Sequence, residues 1–150
     1  MATWDDVLTY VRRNYTIQEE IRSDDGAVIG LRMVFSLSDL RSQLVFLWHN
    51  KLGDGTESWV QITSPFARAA EVNLLEVLDV VGGYVCGGVA KYDELLILQH
   101  AAPLLNLDIN ELERPLQLVL STADNLERRF AGGRRVVGGP VGGAEIADLG

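Results

Sequence analysis

The chain has 150 residues, with 13 Lys and Arg against 21 Asp and Glu, a formal net charge of −8. An apolar share of 47% and a charged share of 23% are ordinary for one soluble globular domain. The acidic balance argues against nucleic acid, because phosphate contacts draw on a surplus of Lys and Arg. The single Cys86 excludes an internal disulfide and any Cys-rich zinc site, and fits a reducing cytoplasm. No apolar run approaches the roughly 18 residues of a membrane span, and the acids of Met1-Ala2-Thr3-Trp4-Asp5-Asp6 stand where a secretory signal would be basic.

Thr3 with Asp6 resembles a capping box, and Trp4, Val7, Leu8, Val11 and Tyr15 recur at helical spacing, so a helix is expected over 4–14. Residues 16–22 are either a strand or part of a longer loop. Asp25-Gly26 is a hairpin signal, and a half-buried alternating strand follows over 27–36. After a turn at Ser38-Asp39-Leu40-Arg41, residues 43–52 are apolar on both faces. Leu44, Phe46 and Trp48 point one way, and Val45 and Leu47 the other, as in a central strand. Gly53-Asp54-Gly55 returns the chain to a strand over 57–63 that carries Trp59.

Ser64 as cap and Pro65 at the first helical position predict a second helix, which Gly82-Gly83 stops. Its stripe is Phe66, Ala70, Leu74, Val77, Leu78 and Val81, and Val72 and Leu75 widen it beyond what one sheet face needs. Such a helix is either sandwiched in the fold or paired with a partner chain. Strands over 84–90 and 94–102 follow, with a bulge or close backbone approach expected at Gly87-Gly88. Asp108 with Glu111 resembles a second capping pair, and Pro115 places a short turn at 109–113 before the last helix. Its core stripe is Leu116, Val119, Leu120, Ala123, Leu126 and Phe130. Residues 131–150 hold seven of the fifteen glycines and a balanced charge of Arg134, Arg135, Glu145 and Asp148. The pattern describes a domain over 1–130 and a flexible Gly-rich tail. The other reading lays Val136, Val137 and Val141 on a neighbour.

Catalytic constellations are weak. His49 and His100 would need two more ligands that no spacing supplies, so no metal and no cofactor is expected. Cys86 and His100 lie on adjacent expected strands, but free Cys usually serves as a small hydrophobe. The Gly82–Gly88 stretch follows a helix and lacks the Lys and Ser/Thr of a phosphate loop. The pairs Asp5-Asp6, Glu19-Glu20 and Asp24-Asp25 sit at solvated positions, and Gly53-Asp54-Gly55-Thr56-Glu57 lacks the alternating ligands of a calcium loop. What remains is apolar surface. One layer of helices covers one face of the 43–52 strand, so the helices either divide between the faces or leave one to a partner. Phe46, Trp48 and Trp59 are the candidate partner-binding residues.

Helix, three strands, helix, two strands, helix is the order of type III secretion chaperones and the related YbjN-like proteins. Trp59-Val60-Gln61-Ile62-Thr63-Ser64-Pro65-Phe66, Gly83-Tyr84-Val85, Leu95–Leu104 and Asp108–Leu116 with Ala123-Asp124-Asn125-Leu126-Glu127 resemble that family over roughly residues 3–130. The resemblance implies an α+β fold of about five antiparallel strands with three helices. It also implies a non-enzymatic, bacterial, commonly homodimeric protein that holds a peptide segment of a partner. The middle-helix dimer interface of the family maps onto Val72, Leu74, Leu75 and Leu78. A small-molecule-binding regulatory domain is the alternative, and an enzyme using Cys86 ranks below both.

Overall fold

The computed structural model describes residues 1–37, 40–85 and 87–131. Ser38 and Asp39 of the expected turn, Cys86 and the expected tail from residue 132 onward lie outside the described residues. The order is α1 (Trp4–Asn14), β1 (Ile17–Arg22), β2 (Val28–Ser36), β3 (Ser42–Leu52), β4 (Glu57–Arg68), α2 (Leu74–Val81), β5 (Gly88–Tyr92), β6 (Leu95–Pro103) and α3 (Glu113–Phe130). The strands form one antiparallel sheet in the order β1-β2-β3-β4-β6-β5. Residues 16–22, open between strand and loop in the sequence, supply the sixth strand.

Helix α1 starts at the expected box: the Thr3 hydroxyl accepts from the Asp6 amide at 3.2 Å, and the Asp6 carboxylate accepts from the Thr3 amide at 2.8 Å. The Thr3 amide, followed by the Thr3 hydroxyl, which also donates to this carboxylate at 2.8 Å, holds the Asp6 carboxyl below its usual range. Trp4 Nε1 donates to the Val28 carbonyl at 2.7 Å and ties α1 to β2. At the other end of α1, Tyr10 and Tyr15 both donate to Glu113 at the start of α3. The Tyr15 bond, followed by the Tyr10 bond, lowers the Glu113 carboxyl, while burial and the same carboxylate raise the Tyr15 phenol.

The second helix departs from the sequence reading. Residues 64–68 continue β4, and α2 begins only at Leu74, with Asn73 Oδ1 accepting from the Glu76 amide at 3.2 Å. The Ser64 hydroxyl does not cap; it donates to the Leu44 carbonyl at 2.6 Å and accepts from Gln43 Nε2 at 2.8 Å. Pro65 sits where the β4–β6 register slips, between Pro65 and Ala67. A bulge tolerates its missing donor inside a sheet. Phe66 is thus a strand residue, fully buried. Gly82 caps α2, as expected.

The strand expected over 84–90 is Gly88–Tyr92 instead. Gly87 has φ +87°, and a Cβ there would stand 3.0 Å from the Gln99 carbonyl, so the close approach precedes the strand and forces glycine. The hairpin turn, expected at Lys91-Tyr92-Asp93 from the strand bounds, lies at Asp93-Glu94, between the paired Tyr92 and Leu95. Near α3 the sequence reading holds: a short 3-10 turn over Ile109–Leu112 precedes Glu113–Phe130. The Asp108 amide donates to Glu111 Oε2 at 3.0 Å. Leu116, Val119, Leu120, Ala123 and Leu126 are buried, and Phe130 is half-buried.

The two faces of the sheet belong to different cores. Leu31, Met33, Val45, Leu47, Val60, Ile62, Leu96 and Leu98 pack with buried residues of all three helices. Leu44, Phe46, Trp48 and Leu95 form a separate cluster, joined by Ala131 and flanked by Ile21 and Val34. The helices therefore do not divide between the faces.

Candidate protein-binding site

Strand alternation places Phe46, Trp48 and Trp59 on the sheet face away from the helices. Phe46 is paired with Thr63, Trp48 with Gln61 and Asn50 with Trp59, and paired residues share a face. The Phe46 and Trp48 rings are parallel, 8° apart with centroids at 5.6 Å. Trp48 lies against Gly30: a Cβ there would come within 2.6 Å of two indole carbons. Its Nε1 donates to Thr63 Oγ1 at 3.3 Å. Backbone and hydroxyl together hold this indole flat on the sheet.

Beside the rings runs a row of side-chain amides that the sequence reading missed. Asn50 Nδ2 donates to Gln61 Oε1 at 2.9 Å, and Gln61 Nε2 donates to Gln99 Oε1 at 3.0 Å, across β3, β4 and β6. The signal was present, since Asn50 and Gln61 fall in phase with Trp48 and Trp59, but no strand pairing could be read to join them to Gln99. Trp59 is half-buried at the end of this face, its Nε1 donating to Glu57 Oε1 at 2.7 Å. Arg32, paired with Phe46, has a buried Nε with no partner among the described residues. Phe46 is 0% and Trp48 2% exposed, so of the three aromatic candidates only Trp59 reaches solvent in this chain.

The four candidate interface residues gather at α2. Val72 lies in the segment before the helix, half-buried against the main core. Leu74, Leu75 and Leu78 are 47%, 75% and 54% exposed, while Val77 alone of α2 is fully buried. The i, i+3 and i, i+4 spacings put the three leucines on one outward surface.

Between α1 and the ends of β2 and β3 lies an open cleft of about 840 Å³, lined by Trp4, Leu8, Arg12, Arg22, His49 and Lys51 among others. His49 stacks on Trp4 at 5.1 Å, and its Nε2 is 3.0 Å from Ser58 Oγ. Burial, then Lys51, holds its imidazole below the usual value. His49 and His100 are on strands separated by β4. Among the described residues no group of three or more His, Cys, Asp or Glu is placed to hold a metal. No helix of the described residues is long and apolar enough to cross a membrane.

No protein-family model and no curated protein matches the sequence. In structure, the chain is similar to a chain of the HopA1-SchA chaperone-effector complex, with a TM-score of 0.53 and 13% identity over 83% of this chain and 89% of that one. The fold is type III secretion chaperone-like. It has six strands where about five were expected, and the α+β class with three helices stands.

Proposed function

We propose that this protein is a non-enzymatic, cytoplasmic chaperone-like adaptor that holds an apolar peptide segment of a partner protein. The observation that carries the reading is the second sheet face: Phe46 and Trp48 lie flat on the strands, on the side opposite all three helices. Parallel aromatic rings make a broad apolar face that solvent reaches at Trp59, and amides at its border can pair with a peptide backbone. The likeness to a chain of a chaperone-effector complex supports a protein partner. Trp59 is the accessible end of the surface, and the edge strand β5 offers a place for strand addition. A YbjN-like relationship fits the same element order.

The protein works as a homodimer in this proposal, with Val72, Leu74, Leu75 and Leu78 at the interface. Three exposed leucines on one eight-residue helix favour a covering surface, since exposed apolar patches of this kind mark interaction sites.

The test is affinity capture from the native host with the wild-type chain and with Trp59→Asp, read by mass spectrometry. One dominant protein, recovered with the wild type and strongly reduced with the variant, is the expected result. An empty wild-type eluate refutes the adaptor role. Equal recovery by a folded Trp59→Asp chain removes Trp59 from the site.

A further inference from the structure

Gly87 and Gly88 are neighbours at the start of β5, but the fold forces only the first of them. Gly87 has φ +87° and a carbonyl 3.0 Å from where a Cβ would stand. Gly88 has neither constraint: its φ is not left-handed, and a Cβ there would meet nothing within 4 Å. Glycine costs a strand backbone entropy and side-chain packing, and often marks a place that another backbone or a ligand approaches. Gly88 is exposed on an edge strand and is paired with Gln99 of β6, in phase with Thr63 and Phe46. The amide row runs toward this opening. Asn50 donates to Gln61 and Gln61 to Gln99, so both donors are directed from β3 toward β5. The Gln99 Oε1 is taken by Gln61, which leaves the half-buried Gln99 with its Nε2 as the free end of the row. Successive hydrogen bonds polarise one another and strengthen the donor at that end.

We propose that Gln99 selects a glutamine on the partner strand added at the free edge of β5, across the bare Cα of Gly88, a reading that rests on the strand addition proposed above. A strand outside β5 lies two strand spacings from β6, about 10 Å. Side chains of glutamine length meet over that gap only where the strand between them carries none, and Gly88 is the residue of β5 in the row. The donor end requires an acceptor oxygen. A carboxylate would bring negative charge to a chain of net charge −8, and asparagine is a methylene shorter, so glutamine fits best. Its own amide then extends the ladder by one cross-strand pair. The β5 strand of a second copy cannot serve, because Gly88–Tyr92 holds neither a side-chain amide nor a carboxylate. The occupant is therefore a segment of another protein, with glutamine in phase with Gly88.

The test selects binders to the full chain from a displayed library of random linear peptides and sequences the bound pool. Glutamine enriched about 3–10-fold at one position of the aligned binders is expected, the worth of one neutral hydrogen bond. Gly88→Val and Gln99→Leu, each checked for an unchanged far-ultraviolet spectrum, should still select peptides but lose that enrichment. The first fills the gap at a position where a Cβ meets nothing, and the second removes the donor; if one fails to fold, the other decides. Hydrogen exchange with one selected peptide bound should slow at β5. Binders without a preferred glutamine, a preference that survives in a folded variant, or protection away from β5 overturn the inference and leave the adaptor role standing. A preference for Asp or Glu at that position overturns the assignment to an amide. A wild-type chain that selects no peptide at all defeats the adaptor role and this inference together.

Discussion

Trp48 owes its position to three neighbours: the bare Cα of Gly30 beneath it, the Thr63 hydroxyl at its Nε1, and the parallel ring of Phe46. A methyl at residue 30 would meet rigid indole carbons at 2.6 Å, and an aromatic ring cannot yield as a flexible chain end does. Gly30→Ala is therefore expected to cost about 1–3 kcal/mol, as overpacking does, and to shift tryptophan emission; chemical denaturation followed by fluorescence measures both. His49 carries a different consequence. Its native imidazole resists protonation because it is half-buried against Trp4 and close to Lys51. The unfolded chain takes that proton near pH 6.5. Stability contributed by the neutral ring is thus full above that value and declines as pH falls towards the lower native one. His49→Gln should flatten the fall in Tm between about pH 8 and about pH 5, and an unchanged slope would rule out this ring as a source of acid sensitivity.

Helix α2 shows how an element's borders decide what it can do. Had the helix begun at Ser64, Phe66 would have shared its stripe with the leucines. In the structure Phe66 and Ala67 are locked in β4, and the helix is only eight residues from Leu74 to Val81. One buried residue, Val77, anchors it, so Leu74, Leu75 and Leu78 have no inward role. Asn73→Ala removes its cap and should cost about 1 kcal/mol, measurable as a lower midpoint in urea. Leu75→Asp places a charge on the outward surface and should convert a dimer to a monomer by light scattering at unchanged helix content. A mass that does not change, with the fold intact, would exclude this surface as the interface.

At the scale of the molecule, the arrangement is a sheet with all three helices on one side and an aromatic cluster on the other. This asymmetry separates the two proposed surfaces: dimerisation through α2 on the helix side, and peptide binding on the opposite face. A dimer-breaking variant such as Leu75→Asp should consequently reduce captured partner far less than Trp59→Asp does, a difference readable in one quantitative capture experiment. Equal loss from both variants would mean that the surfaces act as one.

The one-dimensional pattern determined what depends on neighbours in sequence. The capping boxes at Thr3 and Asp108, the opposed sets of Leu44, Phe46, Trp48 and of Val45, Leu47, and the end of α2 at Gly82 all rest on contacts within a few residues. The α+β class followed from their order. Tertiary structure alone decided where competing local signals lead. Ser64-Pro65 is as good a helix start as it is a bulged strand, and only Gln43 and Leu44, about twenty residues away along the chain, claim the Ser64 hydroxyl for the sheet. Likewise, no local rule tells on which face a helix settles. That choice is made by burial across the whole sheet, and it set the helices against Val45 and Leu47 and left Phe46 and Trp48 on the opposite face.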